Sequence, residues 1–462
     1  MKPRPNILLI VSDDHATSTI SCYGSQMNQT PNIDRIGNQG MRFNNAFCTN
    51  AICTPARASI LTGKYSHRNN VYTLGDVIDQ TEQPTLPQYL HRTGYQTAVV
   101  GKWHLGLREK SKPDGFDYWS VFAGQGRHLN PEMVEMDTPR SFDGYSADVI
   151  ADQSLNWLRS RQKERPFFLM STFKATHDPF IPNPKDLDLY TTDVPEPLTL
   201  FDDYQNRAAA AEMSTQRVAI MEQKHHLPES TPEELSGEAR TRWNYQCFLK
   251  NYLRCAHAID ENVGRLLNYL DQEELVHNTI VVYTSDHGFF LGDHGWYDKR
   301  FMYEASIRVP LLVRYPAEIP AHGVSEKIAL NVDLAPTLLD YANLPISEEI
   351  QGESLCSLLD GSECQHWRTS MYYRYWMHLA HFNVPAHYGI RTERHKLIHY
   401  YGQSLGATGA IDQPTPAEWE LFDLETDPQE MNNLYSDPNC AKTVNQLKGK
   451  LNHLRSQLGD EV

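Results

Sequence analysis

Four short apolar runs, each breaking off into a cluster of polar and charged residues, constrain this chain more than anything else in it. Asn6-Ile-Leu-Leu-Ile-Val11 ends in Ser12-Asp13-Asp14-His15, and Gln96-Thr-Ala-Val-Val100 ends in Gly101-Lys102-Trp103-His104. Pro166-Phe-Phe-Leu-Met170 runs on to Lys174-Ala-Thr-His177, and Thr279-Ile-Val-Val-Tyr283 ends in Ser285-Asp286-His287-Gly288. Apolar runs of this length without alternation suit strands buried on both faces, as in a parallel sheet covered by helices. Helical periodicity fills the intervals, from Leu86 to Gly94, from Tyr145 to Arg161 and from Tyr245 to Leu270. Strands alternating with helices predict an α/β fold with a large, mostly parallel central sheet. In such folds ligands bind beyond the carboxyl ends of the strands, which is where all four polar clusters fall.

The chain's 462 residues are too many for one small core. The main domain is expected over about residues 1–350, interrupted at about 183–242 by a polar, proline-rich surface insertion. Beyond it, Tyr372–Trp376, Ala386–Arg391, Lys396–Tyr400 and Trp419–Phe422 read as short aromatic-rich strands, and Ala441 to Leu458 as a closing amphipathic helix. This predicts a smaller C-terminal α+β domain with an antiparallel sheet, over residues 351–462. The formal charge of −16 argues against nucleic-acid or membrane-surface partners. Positive potential for an anionic ligand must then be local. No apolar run reaches the roughly 18 residues of a membrane span. The short run near the start is a poor signal-peptide core, so the sequence as it stands reads as cytoplasmic, or as periplasmic or secreted if a leader has been removed. Cys356 and Cys364 could pair, although reduced thiols are the plainer reading of the eight cysteines.

Asp13-Asp14 and Asp286-His287 each close a strand. Adjacent carboxylates are costly to bring together unless a cation neutralises them. One such pair alone is usually a solvated loop; two, each at the end of a strand, point to a metal. Oxygen-rich ligands favour Ca²⁺, or Mg²⁺, over zinc. Cys53-Thr54-Pro55-Ala56-Arg57 opens a helix that continues to Leu61-Thr62-Gly63, and a helix N-terminus lowers a thiol pKa and favours bound anions.

That block resembles the signature of the type I sulfatases, in the alkaline-phosphatase-like superfamily. The resemblance extends over Asn6 to Asp14, Thr30 to Arg35, Gly101 to Gly106, Ser285 to Lys299 and Trp419 to Asn433. It implies that Cys53 is oxidised to formylglycine by a formylglycine-generating enzyme, and that Asp13, Asp14, Asp286, His287 and modified Cys53 hold one divalent metal ion. His287 departs from the Asn or Gln of many members. By the same resemblance Arg57 fixes the nucleophile, Lys102 and His104 flank it and the sulfate, His177 protonates the leaving oxygen, and Lys299 binds sulfate. A hydrated aldehyde offers one hydroxyl to attack sulfur and a second to expel sulfate, where a thiolate would leave a dead-end adduct.

The implied reaction is hydrolysis of a sulfate ester. A phosphonate monoester hydrolase or phosphodiesterase on the same scaffold is the alternative. Phe122 to His128 resembles a loop of carbohydrate sulfatases, including N-acetylglucosamine-6-sulfatase-like members, which makes a sulfated carbohydrate the expected substrate. Arg127, His128, Trp376, His378, His381 and His387 are candidate sugar contacts, since aromatics stack on sugar faces and imidazoles bond hydroxyls. Packing between domains explains the last four equally well.

Overall fold

The computed structural model describes residues 4–221, 227–361 and 366–461. The four apolar runs form the strands Asn6–Ser12, Gln96–Gly101, Phe167–Thr172 and Thr279–Ser285, buried at every position. They lie in a ten-stranded sheet. Its centre is parallel, in the order Thr279–Ser285, Asn6–Ser12, Phe167–Thr172, Gln96–Gly101, Tyr118–Phe122. Its margins are mixed. Leu311–Arg314 runs antiparallel to Thr279–Ser285 on one side, and a polar hairpin of Glu132–Glu135 and Thr138–Ser141 extends the other.

Alternate residues of each central strand serve opposite faces. Leu8, Ile10, Val100, Leu169 and Val281 pack with Ile150, Leu155, Ile259 and Leu266, on the helices Ser146–Ser160 and Gly237–Gln272. Ile7, Leu9, Val99, Met170 and Val282 face the other way, in one core with Ile60 and Leu61 of the Cys53–Thr62 helix. That second core continues into the C-terminal sheet through Tyr373, Ile390, Leu397 and Phe422.

The C-terminal strands Ser370–Tyr375, His387–Thr392, His395–Tyr400 and Glu418–Asp423 form an antiparallel sheet in sequence order. The closing helix spans Ala441–Leu458, as the sequence predicts. Two expectations need correction or restriction. The long helix starts at Gly237, not near Tyr245, so residues 237–242 belong to it rather than to the insertion. Its first turns, with Glu238, Arg240 and Arg242 exposed, carry no apolar stripe to announce them. Of the Cys356–Cys364 pair, Cys364 lies outside the described residues.

Register levels the strand tips. Ser12 sits opposite Ser285, Val11 opposite Thr172, and Thr172 opposite Gly101. At Gly101 the chain leaves the sheet with φ of 109°, and a Cβ there would stand 1.9 Å from the Thr172 carbonyl oxygen. Glycine alone fits both demands. Gly101→Ala is expected to cost about 2 kcal/mol or more of stability, read from a lowered urea midpoint with unchanged m-value.

Candidate active site and metal centre

The levelled strand tips bring the polar clusters together around one point. Asp13 and Asp14 follow the Asn6–Ser12 strand, and Asp286 and His287 follow its neighbour. Asp14 turns back with φ of 61°, and its amide donates to Asp286 Oδ1 at 3.3 Å. Its carbonyl accepts from Tyr252 Oη at 2.6 Å and Thr176 Oγ1 at 2.9 Å, tying the turn to the long helix and the next strand tip. Cys53, first residue of a wholly buried helix, reaches the same point. Its Sγ lies 3.5 Å from Asp13 Oδ1 and 3.5 Å from His287 Nε2.

One donor atom from each of Asp13, Cys53, Asp286 and His287 lies within 4.8 Å of the others. Asp14 belongs to an overlapping group with Asp13 and His177. The donors fit a divalent metal ion by two observations. Burial, with Asp13 alongside, pushes the Asp286 carboxyl up to about 7, the signature of carboxylates crowded without enough positive charge. His287 donates from Nδ1 to the Gly288 carbonyl at 2.9 Å, which leaves Nε2 facing the cluster. Ligating histidines are oriented in this way. The arrangement thus places His287 with Asp13, Cys53 and Asp286 around one point.

Cations ring the acids. Lys102 Nζ donates to Asp13 Oδ2, and Lys299 Nζ donates to both oxygens of Asp14 at 2.6 and 2.9 Å. Arg57 donates from Nε to Asp286 Oδ2 at 3.0 Å and from Nη1 to the Lys102 carbonyl at 2.7 Å; its Nη2 has no hydrogen-bond acceptor. Burial opposes ionisation of Cys53, yet Lys102 and Lys299 hold its thiol well below the usual range. His104 lies beside Cys53, its Nδ1 3.3 Å from Thr54 Oγ1. Burial and Lys102 work against charge on His177, but Asp178 and Asp13 prevail and raise it to about 10. Asp178 Oδ1, 2.6 Å from His177 Nδ1, favours the protonated imidazole that a proton donor requires.

The candidate sugar contacts divide. His381 is half-buried, close enough to Arg300, Asp298 and Lys299 for their charges to act on it. Trp376 is buried against Arg374, whose guanidinium lies 3.5 Å from the ring centre. Arg127 is exposed, 3.8 Å from Glu132. His378 and His387 need correction, because protein groups use both nitrogens of each. Ala386 N donates to His378 Nδ1 at 3.1 Å, and His378 Nε2 donates to the Gln413 carbonyl at 3.0 Å. Met302 N donates to His387 Nε2 at 3.1 Å, and His387 Nδ1 donates to the Pro385 carbonyl at 2.8 Å. His128 also faces protein. It is buried, stacks on Tyr145 and donates from Nε2 to the His177 carbonyl at 2.7 Å.

Three site residues escape a reading of sequence alone. Lys174, buried, donates to the Asp178 carbonyl at 3.1 Å. Burial, with Lys102 nearby, lowers its ammonium to about 8. Asp298 and Arg300, which flank Lys299, pair with each other beside the cleft. The signal was adjacency to a residue already singled out, which is too common to carry weight.

The sulfatase family model matches residues 5–344. The chain belongs to the sulfatase family. A second model, N-sulphoglucosamine sulphohydrolase C-terminal, matches residues 292–457 of this sulfatase. It is 40% identical to an N-acetylglucosamine-6-O-sulfatase of Bacteroides thetaiotaomicron, covering 99% of this chain and 87% of that one. It is 29% identical to the human N-acetylglucosamine-6-sulfatase, over 97% and 83% of the two chains. Among solved structures, one in complex with its substrate D-glucosamine-2-N,6-O-disulfate superposes with a TM-score of 0.93 at 39% identity, over 99% of both chains. The phosphonate monoester hydrolase of Agrobacterium radiobacter shares the fold, with a TM-score of 0.78 at 23% identity, over 98% of this chain and 96% of that one. The sulfatase is therefore a sulfate-ester hydrolase, with its divalent-metal site at Asp13, Cys53, Asp286 and His287.

His128 braces the loop that carries His177, so His128→Ala should lower kcat roughly 10- to 100-fold with little change in KM. Steady-state kinetics on one sulfate ester would check the split, and His128→Gln, which keeps a donor, should recover part of the loss.

Proposed function

We propose that this sulfatase removes the 6-O-sulfate from a glucosamine unit of a sulfated glycan, with Cys53 oxidised to formylglycine and Ca²⁺ in the metal site. The observation that carries the reading is the ring of three buried cations, Arg57, Lys102 and Lys299, around a buried Cys53 in a chain of net charge −16. The named activities of the 40%-identical relative and of the human relative, and the substrate of the 39%-identical structure, support the sugar and the position.

Each residue has work to do in that reaction. Arg57 fixes Asp286 and the Lys102 carbonyl, and so the wall behind the nucleophile. Lys102 and Lys299 face negative charge spreading over the sulfuryl oxygens, in a site where water does not screen them; removing one such donor typically costs about 10²- to 10³-fold in kcat. His177 holds the proton for the leaving sugar oxygen, worth about 10²- to 10⁴-fold. His104, beside Cys53, hydrogen-bonds the nucleophile. When bound, the metal ion lowers the pKa of the attacking hydroxyl and polarises the sulfuryl group. A Cys-to-aldehyde conversion requires a formylglycine-generating enzyme in the host. With Asp13, Asp14, Asp286 and the oxygens of a modified Cys53 set against the one imidazole of His287, oxygen donors outnumber nitrogen and favour Ca²⁺.

The test is sulfate release, followed by ion chromatography, from N-acetylglucosamine-6-sulfate, D-glucosamine-2-N,6-O-disulfate, an aryl sulfate and an aryl phosphonate. Wild type is expected to prefer the two 6-O-sulfated sugars, and Cys53→Ala to release nothing above background. Faster turnover of the phosphonate would replace this reading with the alternative. Peptide mass spectrometry of the Cys53 segment, from protein made in its own host, should show the aldehyde; an unmodified thiol would defeat the proposed nucleophile.

Removal of the metal by a chelator should abolish activity, and Ca²⁺ should restore it. Asp13→Ala should defeat that restoration. It should also destabilise the protein by about 3–5 kcal/mol, because Lys102 is left buried without its partner; thermal unfolding in chelator measures that effect apart from metal binding.

A further inference from the structure

Away from the cleft, a second group of ligand-type side chains gathers where the insertion begins. Asp186 closes a short turn, Pro184–Asp186, against the Gly237–Gln272 helix. His257 and Glu261 stand four residues apart on that helix, hence on one face. One donor atom from each of the three lies within 4.8 Å of the others, and His257 Nε2 is 3.8 Å from Glu261 Oε1.

Asp186 is the independent clue. It is only 4% exposed, and its buried Oδ2 has no hydrogen-bond donor. The adjacent Asp148 differs: its two oxygens accept from Asn183 Nδ2 at 2.9 Å and Asn262 Nδ2 at 2.8 Å. A buried carboxylate oxygen with no donor is costly and calls for a missing partner. Lys185 Nζ lies 2.7 Å from Glu261 Oε2, with its side chain 50% exposed, so a bound ion would compete with a solvent-facing pair.

We propose that Asp186, His257 and Glu261 form a second divalent-metal site, separate from the sulfate cleft, that takes Zn²⁺. Two carboxylates and one imidazole are a zinc donor set, and three protein ligands leave a fourth position for water. His257 and Glu261 are half-exposed, so small rotations can close the spacing toward zinc bond lengths of about 2.0–2.2 Å. The bound ion would neutralise Asp186 and fasten the start of the insertion to the helix whose Tyr252 holds the Asp14 carbonyl at 2.6 Å.

The test uses the full chain, stripped with chelator and dialysed against Zn²⁺ with Ca²⁺ in excess to keep the cleft occupied. Bound zinc is counted by atomic absorption in wild type, His257→Gln, Asp186→Asn and Asp286→Asn, with Tm measured with and without zinc. Wild type and Asp286→Asn should hold one zinc more than His257→Gln and Asp186→Asn, and zinc should raise Tm by several degrees only where that ion is held. Unchanged sulfate release by His257→Gln would show that it folds. Equal zinc in wild type and both site variants overturns the proposal, and so does a wild type that binds none under these conditions.

Discussion

Three carboxylates and a thiol lie buried together beyond the carboxyl ends of the central strands, and the rest of the molecule is arranged to make that arrangement tolerable. Isolated charges do not survive burial; they are neutralised by partners or lose their ionisation. Here Lys102 meets Asp13, Lys299 meets Asp14 and Arg57 meets Asp286. Each cation comes from a different segment, so the charge pairing is also a tertiary clamp. The same three cations are the groups that can face the negative charge of a sulfate ester. Stability and catalysis use one set of charges, and the residual deficit, visible in the raised Asp286 carboxyl, is where a metal ion enters.

The smaller sheet completes the clamp. Tyr373, buried in its first strand, donates to the Arg300 carbonyl at 2.5 Å and accepts from the Ala51 amide at 3.2 Å. One hydroxyl thereby fixes both the segment leading to Cys53 and the segment following Lys299. His387 supports the same region by accepting from the Met302 amide, and burial lowers its imidazole to about 4, so it stays neutral. These residues hold Cys53 and Lys299 at a set separation, and placement errors of an ångström in an active site are enough to cost large factors in rate.

What could be read from sequence follows from this division. The four strand runs were legible because unbroken apolar stretches are dictated by local chemistry, and parallel register then forces their polar tips together. Asp13, Asp14, Lys102, Asp286 and His287 converge for that reason, whereas Cys53 and Arg57 arrive on the Cys53–Thr62 helix and Lys299 follows the short strand Tyr297–Asp298. The roles of His378, His387 and His128 were not legible, since whether an imidazole is satisfied depends on backbone groups such as Met302 N and Gln413 O that are remote or irregular in sequence. The start of the long helix at Gly237 was hidden because an exposed first turn needs no apolar period.

The charge balance of the chain acquires a physical sense in this light. A surface of net charge −16 repels polyanions as a whole, yet the substrate proposed here is one. Exposed charges are screened within about a Debye length, roughly 8–10 Å in physiological salt, whereas buried cations act through a low-dielectric wall. Lys102, Lys299 and Arg57 are almost wholly buried, so their field is felt by a sulfate that has entered the cleft and scarcely by one outside. Because these cations are already paired with Asp13, Asp14 and Asp286, a bound metal ion is what tips the site to a positive balance, and an acidic exterior around it disfavours loose adsorption along a sulfated chain relative to a single sulfate that fits.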